Sequence, residues 1–310
     1  YRENTEEKDA AFLKLYDGHD WKWFAARLKH TDMEYLRKHW SGKKASAPTL
    51  EKKHDKYFLR FTYAEEVSLN RTPVKEQTIC SVDLGINTDA VCTIMRPDGT
   101  ILGRKFINFP SDKDRMYRVL GRIRRFQREH GSRQVQGRWA YAKRLNTELG
   151  KKIAREIVFY ASENRADVIV FEYLEMKGKL SGKKKQKLQM WRKRDIQKRC
   201  GQQAHRKGIR ISRICAWNTS RLAFDGSGKI DRDIQDHRLC TFQNGKRYNC
   251  DLSASYNIGA RYFIREILKP LPATERSLLE AKVPAVKRRT SCVYADLREL
   301  ISEMELRKAA

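Results

Sequence analysis

The chain has 310 residues, with 66 Lys and Arg against 38 Asp and Glu and a formal net charge of +28. Its mean hydropathy is −0.75, and apolar runs such as Val168-Ile169-Val170-Phe171 fall far short of the ~20 residues a membrane-spanning helix needs, which excludes a membrane protein. The 13 Tyr, 12 Phe and 6 Trp suffice for a core, so general disorder is excluded too, and the surplus charge points to an anionic partner, nucleic acid first. The length suggests about two domains. The first residues are acidic and broken by charge, unlike a signal peptide, and Tyr1 in place of Met reads as a processed or partial chain.

In chain order, residues 1–47 read as a helical segment of mixed charge, with Trp21, Trp23 and Phe24 clustered and Ser46-Ala47-Pro48 as a break. Residues 49–67 read as a β-hairpin: Leu50 opens one strand, Lys52-Lys53-His54-Asp55 turns, and Tyr57 to Tyr63 alternates as the other. A polar linker carrying Pro73 runs to Gln77. An α/β pattern then begins. Thr78 to Asp83, Ala90 to Met95 and Ile101 to Asn108 are three strands of an antiparallel meander, with Pro97-Asp98-Gly99 as a turn. A long basic helical region covers Asp112 to Asn164, where Ile153, Ile157, Tyr160 and Ala161 mark a core-facing stripe. Val168 to Phe171 is wholly apolar, as in a strand buried on both faces, and ends at Glu172. Lys177 to Arg210 is mostly helix and very basic; Ile209 to Ile214 is a fifth strand. Leu252 to Leu268 is a helix with Asp251 at its N-terminus, ended by Pro270 and Pro272, and one or two further helices close the chain.

The charge is concentrated. Residues 113–155 hold 14 Lys and Arg against 3 Asp and Glu, and residues 176–210 hold 14 against 1. These segments flank one buried strand and can line one phosphate-binding channel, with Arg122, Arg124, Arg125, Lys183, Lys184, Lys185, Arg192 and Arg194 as contacts. Trp191, and less strongly Trp139 and Tyr141, are stacking candidates. The plainer alternatives are solvated helix faces and, for Lys183-Lys184-Lys185, a loop or localisation tag. The seven cysteines, Cys80, Cys92, Cys200, Cys215, Cys240, Cys250 and Cys292, are odd in number and none are spaced CxxC, which argues against a disulfide framework and for a reducing compartment.

Three carboxylates carry most of the information. Asp83 ends the first strand of a meander, Glu172 ends the apolar strand after a long helix, and Asp251 opens a late helix. Taken singly, Asp83 reads equally as a turn former, Glu172 as an arginine partner and Asp251 as an N-cap. Jointly they fit the ribonuclease H-like α/β fold, whose strand and helix order brings such acids to one point. Converging carboxylates need a counterion, and hard divalent metals take oxygen ligands. Two such ions would activate a water and stabilise the leaving 3′ oxygen of a phosphodiester.

Ser81-Val82-Asp83-Leu84-Gly85-Ile86-Asn87 resembles the first RuvC motif of the TnpB (OrfB) transposon nucleases and type V CRISPR effectors. Val170-Phe171-Glu172-Tyr173-Leu174 resembles the second, and Asp251-Leu252-Ser253-Ala254-Ser255-Tyr256-Asn257-Ile258 the third. Trp217-Asn218-Thr219-Ser220 resembles the approach to the family's inserted zinc ribbon, and the likeness extends over about residues 48–268. It implies an RNA-guided, Mg²⁺-dependent DNA endonuclease (Mn²⁺ substituting) with Asp83, Glu172 and Asp251 as catalytic metal ligands and guide RNA and target DNA as partners. It further implies a prokaryotic, cytoplasmic, nucleoid-associated protein, monomeric or homodimeric. The implied parts are a recognition-region remainder at 1–47, a wedge-barrel hairpin and linker at 48–77, a nuclease domain at 78–268 and C-terminal helices at 269–310.

Two departures stand out. The family's four zinc ligands align with Ala223, Gly226, Thr241 and Asn244, which supply no thiolate, so no structural zinc is expected and residues 217–250 read as a degenerate ribbon. Residues 1–47 are also few for both a recognition region and a barrel. A non-cleaving RNA-guided relative, or another ribonuclease H-like transposase or resolvase, are the alternative readings.

Overall fold

Strands, rather than the expected helix, occupy the start of the chain. In the computed structural model, which describes residues 1–3, 7–53, 55–131, 135–173, 192–288 and 290–309, β1 (Arg2–Glu3), β2 (Ala10–Tyr16) and β3 (Trp21–Arg27) form an antiparallel sheet. The reason is local. Phe12, Lys14 and Tyr16 alternate with Ala11, Leu13 and Leu15, and Asp17-Gly18-His19-Asp20 is a turn sequence. The Asp17 carboxylate accepts from the amides of His19 and Asp20, and Gly18 takes a φ of +105° that a side chain would resist. Only α1 (His30–Trp40) is helical in this stretch. β4 (Thr49–Lys53) and β5 (Lys56–Arg60) make the expected hairpin, with Lys53 opposite Lys56. Residues 1–67 and 68–310 are two separate compact units, so the first unit ends well beyond residue 47.

In the second unit, β6 (Ile79–Asp83), β7 (Ala90–Met95) and β8 (Ile101–Ile107) form the meander, followed by α2 (Pro110–His130) and α3 (Gln136–Glu163). Pro110 sits at the first turn of α2, where its missing N–H costs nothing. β9 (Val168–Tyr173), α4 (Lys193–His205) and β10 (Arg210–Cys215) follow. The sheet order is β10-β9-β6-β7-β8, with β9 parallel to both β6 and β10 and β7 antiparallel to β6 and β8. This is the ribonuclease H-like arrangement, with the strand that ends in Asp83 at the centre.

Strand alternation divides the core between two faces. Cys80, Val82, Ile169 and Phe171 point to one face, against Ile153, Ile157 and Ala161 of α3 and Cys200 of α4. Ile79, Val168 and Val170 point to the other, against α5 (Cys250–Leu268) and its Tyr256 and Phe263. Each of the Val, Ile and Phe side chains among them contributes roughly 1.5–3 kcal/mol on full burial. Between β10 and α5 lies an insertion with three short strands, β11 (Asp231–Arg232), β12 (Leu239–Thr241) and β13 (Arg247–Asn249). Ala223, Cys240, Phe242 and Cys250 are buried together there under Phe224, Ile230 and Tyr248, an apolar core where the resemblance puts a metal. The helices α6 (Ala273–Lys282) and α7 (Tyr294–Ala309) close the unit, α7 packing on α5 through Leu297 and Leu300.

Candidate active site

The same alternation sets the site. Asp83 is two and four residues from Ser81 and Ile79, and Glu172 is two and four from Val170 and Val168, so both acids face α5. β6 and β9 run parallel with Val82 opposite Phe171, which sets Asp83 and Glu172 one step further on, at the C-terminal ends of adjacent strands. Asp251 lies in the first turn of α5. The cap of that helix is Asn249, whose side chain accepts from the Leu252 amide at 2.9 Å, so Asp251 has no capping duty. Close packing of α5 depends on Gly259, beside Met95 and Ser81 of the sheet. A Cβ placed on Gly85, two residues past Asp83, would lie 3.8 Å from Asp251 Oδ2.

Asp83 and Glu172 are buried, and Asp251 is half-buried. Burial pushes the Asp83 carboxyl well above the usual carboxylate range; the charges of Glu172 and Asp251 push the same way, and Arg232 opposes them. Burial also raises Glu172, against the Thr219 hydroxyl bond and the charges of Arg261 and Lys193. Burial raises Asp251, against a bond from Thr88 and the charges of Arg232 and Arg238. None of the three is in an ion pair among the described residues. The Thr219 hydroxyl donates to Glu172 Oε1, and Gln197 Nε2 donates to the Glu172 carbonyl at 2.9 Å.

As placed, no three His, Cys, Asp or Glu side chains among the described residues form a set that could hold a metal ion. Glu172 and Asp251 lean instead on the hydroxyls of Thr219 and Thr88. The donor type of the three acids, oxygen only and without an ion pair among the described residues, is the kind a hard divalent cation takes.

The expected nucleic-acid residues fall in different places. Lys183, Lys184, Lys185 and Trp191 lie outside the described residues. Arg122, Arg124 and Arg125 are exposed on α2, and Arg194 is exposed on α4. Arg192 bridges α3 and α4, donating to Thr147 Oγ1 at 2.6 Å and pairing with Asp195 at 3.2 Å. Arg124 and Arg192 also line a cleft of about 760 Å³ whose wall includes Gly85 and Asn87, just past Asp83, and Arg238 of the insertion. Trp139 packs between α2 and α3 rather than standing free.

Sequence reading missed the groups around the acids: Thr88, Lys193, Thr219, Arg232, Arg238 and Arg261. Only Thr219 carried a signal, through Trp217-Asn218-Thr219-Ser220. The others reach the acids across the fold.

Strand order defines a ribonuclease H-like domain, with Asp83, Glu172 and Asp251 at the ends of its central strands and the start of the helix packed on them. No family model matches the chain, and no curated protein matches it. It is similar to the Cas12f1 of a Cas12f1-sgRNA-target DNA complex, with 17% identity and a TM-score of 0.46 over 67% of this chain and 54% of that one. It is also similar to Alicyclobacillus acidoterrestris C2c1 in complex with single-guide RNA (11% identity, TM-score 0.44, 84% of this chain and 50% of that one). Thermus thermophilus RuvC matches at 11% identity and a TM-score of 0.25, over 74% of this chain and 97% of that one. The chain thus spans about half the length of the Cas12f1 and C2c1 structures. No helix among the described residues is long and apolar enough to cross a membrane.

Proposed function

We propose that this chain is an RNA-guided, divalent-metal-dependent DNA endonuclease of the TnpB kind. The observation that carries the reading is the placement of Asp83 and Glu172 at the ends of two adjacent parallel strands and of Asp251 in the first turn of the helix packed on them, none of them in an ion pair among the described residues. Asp83, Glu172 and Asp251 are the residues that would hold one or two Mg²⁺ ions, with Mn²⁺ as a substitute, once their side chains turn toward one another. When bound, the metal supplies charge neutralisation and Lewis-acid polarisation at the phosphodiester.

The chain's own residues do the rest. Thr219 fixes the orientation of Glu172, and Thr88 does so for Asp251. Arg232 and Arg238 lie close enough to act on the charge of Asp251, and can offset phosphate charge at the same place. The exposed arginines of α2 and the basic residues of 176–210 track the backbone of guide and target, which supplies affinity without sequence choice. Base pairing by the guide supplies the sequence choice.

The test replaces Asp83, Glu172 and Asp251 singly with Ala. Cleavage of guide-matched DNA in Mg²⁺ should be abolished in each case, while co-purifying RNA remains bound. A Glu172→Ala protein that cuts at the parental rate would sink the assignment, as would sequencing that finds no defined RNA with the purified protein.

A further inference from the structure

Of the five tryptophans among the described residues, four have an aromatic, cationic or core neighbour, although Trp21 and Trp23 are themselves exposed. Trp21 lies 5.7 Å from Tyr16, Trp40 stacks 5.2 Å from Tyr63, Trp23 carries Arg2 at 4.9 Å, and Trp139 packs against Met116 and Ile123. Trp217 is 66% exposed and its ring has no aromatic or cationic partner among the described residues. Leaving so large an apolar surface in water is unfavourable, and the surroundings hold it there firmly. Arg261, itself buried, donates to the Trp217 carbonyl at 2.7 Å and to the Cys215 carbonyl at 2.9 Å. Asn218 takes a φ of +59°, which Asn tolerates better than most residues. Asn257 of α5 donates to the Thr219 carbonyl at 3.0 Å. The backbone on both sides of Trp217 is thus tied to the helix that carries Asp251.

The position matters as much as the rigidity. Cys215 pairs with Tyr173, the residue after Glu172, so Trp217 follows two residues beyond the end of β10, the strand beside the one that holds Glu172. Two residues later, Thr219 donates to Glu172 itself. A strand whose phosphate reached the acids would therefore have a neighbouring base beside an exposed indole carried on a tied backbone. Every base has a π-face, so stacking there needs no sequence preference.

We propose that Trp217 is a stacking platform for one unpaired base of a single DNA strand, next to the phosphate that meets Asp83, Glu172 and Asp251. This rests on the nuclease reading of that site. It adds to that site a residue that contacts a base.

The experiment uses the full chain in Ca²⁺ buffer with two labelled probes: oligothymidylate and an abasic strand of equal length. Fluorescence anisotropy gives affinities for the parent, Trp217→Ala and Trp217→Phe. Trp217→Ala should weaken oligothymidylate binding roughly 5- to 150-fold, the range of one lost base stack. Trp217→Phe should retain most of the affinity. The salt slope should stay the same, since no phosphate contact is removed. Abasic-strand binding should be equal in all three. Quenching of the parental tryptophan emission by oligothymidylate, reduced in Trp217→Phe, gives a second readout that needs no Ala variant. Equal oligothymidylate affinity in all three proteins, or equal loss in Ala and Phe, overturns the platform and leaves the nuclease reading to the acid variants. Failure of the parent to bind either strand also overturns the platform and leaves the nuclease reading to the acid variants.

Discussion

Gly259→Ala tests whether the approach of α5 to the sheet sets the active site. A Cβ at this position would lie 2.8 Å from Met95 Cε, 2.9 Å from Met95 Sδ and 3.2 Å from Ser81 Oγ. Carbon contacts prefer about 3.5–4.0 Å, so something must move by about 0.7–1.2 Å. Met95 and Ser81 are both fully buried and cannot swing into solvent. Overpacking of this kind costs about 1–3 kcal/mol, while Ala in place of Gly in a helix recovers about 1 kcal/mol. The net loss should be about 0–2 kcal/mol, or a Tm lowered by up to about 8 °C for a unit of this size. Met95→Ala alone should cost about 2–5 kcal/mol through the cavity it leaves. Together the two should cost less than their sum by about 1–3 kcal/mol, because the cavity accepts the new methyl group. Urea unfolding of the four proteins measures the cycle. Asp251 lies about 12 Å back along the same helix, so a shift of α5 moves it against Asp83, and cleavage should fall in Gly259→Ala and recover in the double variant. Strictly additive costs would refute the reasoning.

Asp83→Asn should raise the metal-free stability at neutral pH. The folded state raises the Asp83 pKa above its ordinary value of 3.8, so the fold disfavours the ionised form; the penalty is absent below that value and grows as pH rises through the folded one. In EDTA the parent should therefore approach the variant in Tm on acidification, and a gap that does not change with pH would count against buried repulsion. Thr219→Val removes the bond that lowers the Glu172 pKa, so the Mg²⁺ needed for half-maximal cleavage should rise more at pH 6 than at pH 8; an equal rise at both would mean that Thr219 acts by packing alone. Elemental analysis should find no stoichiometric zinc, because the insertion buries Ala223, Cys240, Phe242 and Cys250 against aromatic rings. About one zinc per chain would point to a site at Cys240 and Cys250.

What the sequence alone determined is what depends on neighbours along the chain. The meander, the buried strand at Val168 to Phe171 and the helix of Asp251 each follow from residues within a few positions, and strand alternation already puts Asp83 and Glu172 on fixed faces. Residues 1–47 carried the same kind of signal: the period of two and the Asp17-Gly18 turn predict strands, which a reading from charge and clustered tryptophans passed over. Only the tertiary structure decided the rest. That Asn249 caps the helix and leaves Asp251 unengaged depends on where the backbone turns. That Thr219 meets Glu172, 47 residues away, and that Arg261 holds the Trp217 loop, 44 residues away, depend on the parallel pairing of β9 with β10 and on α5 crossing behind them. Local sequence sets which side of an element a residue occupies. Which element faces that side is set by long-range packing, which no window along the chain contains.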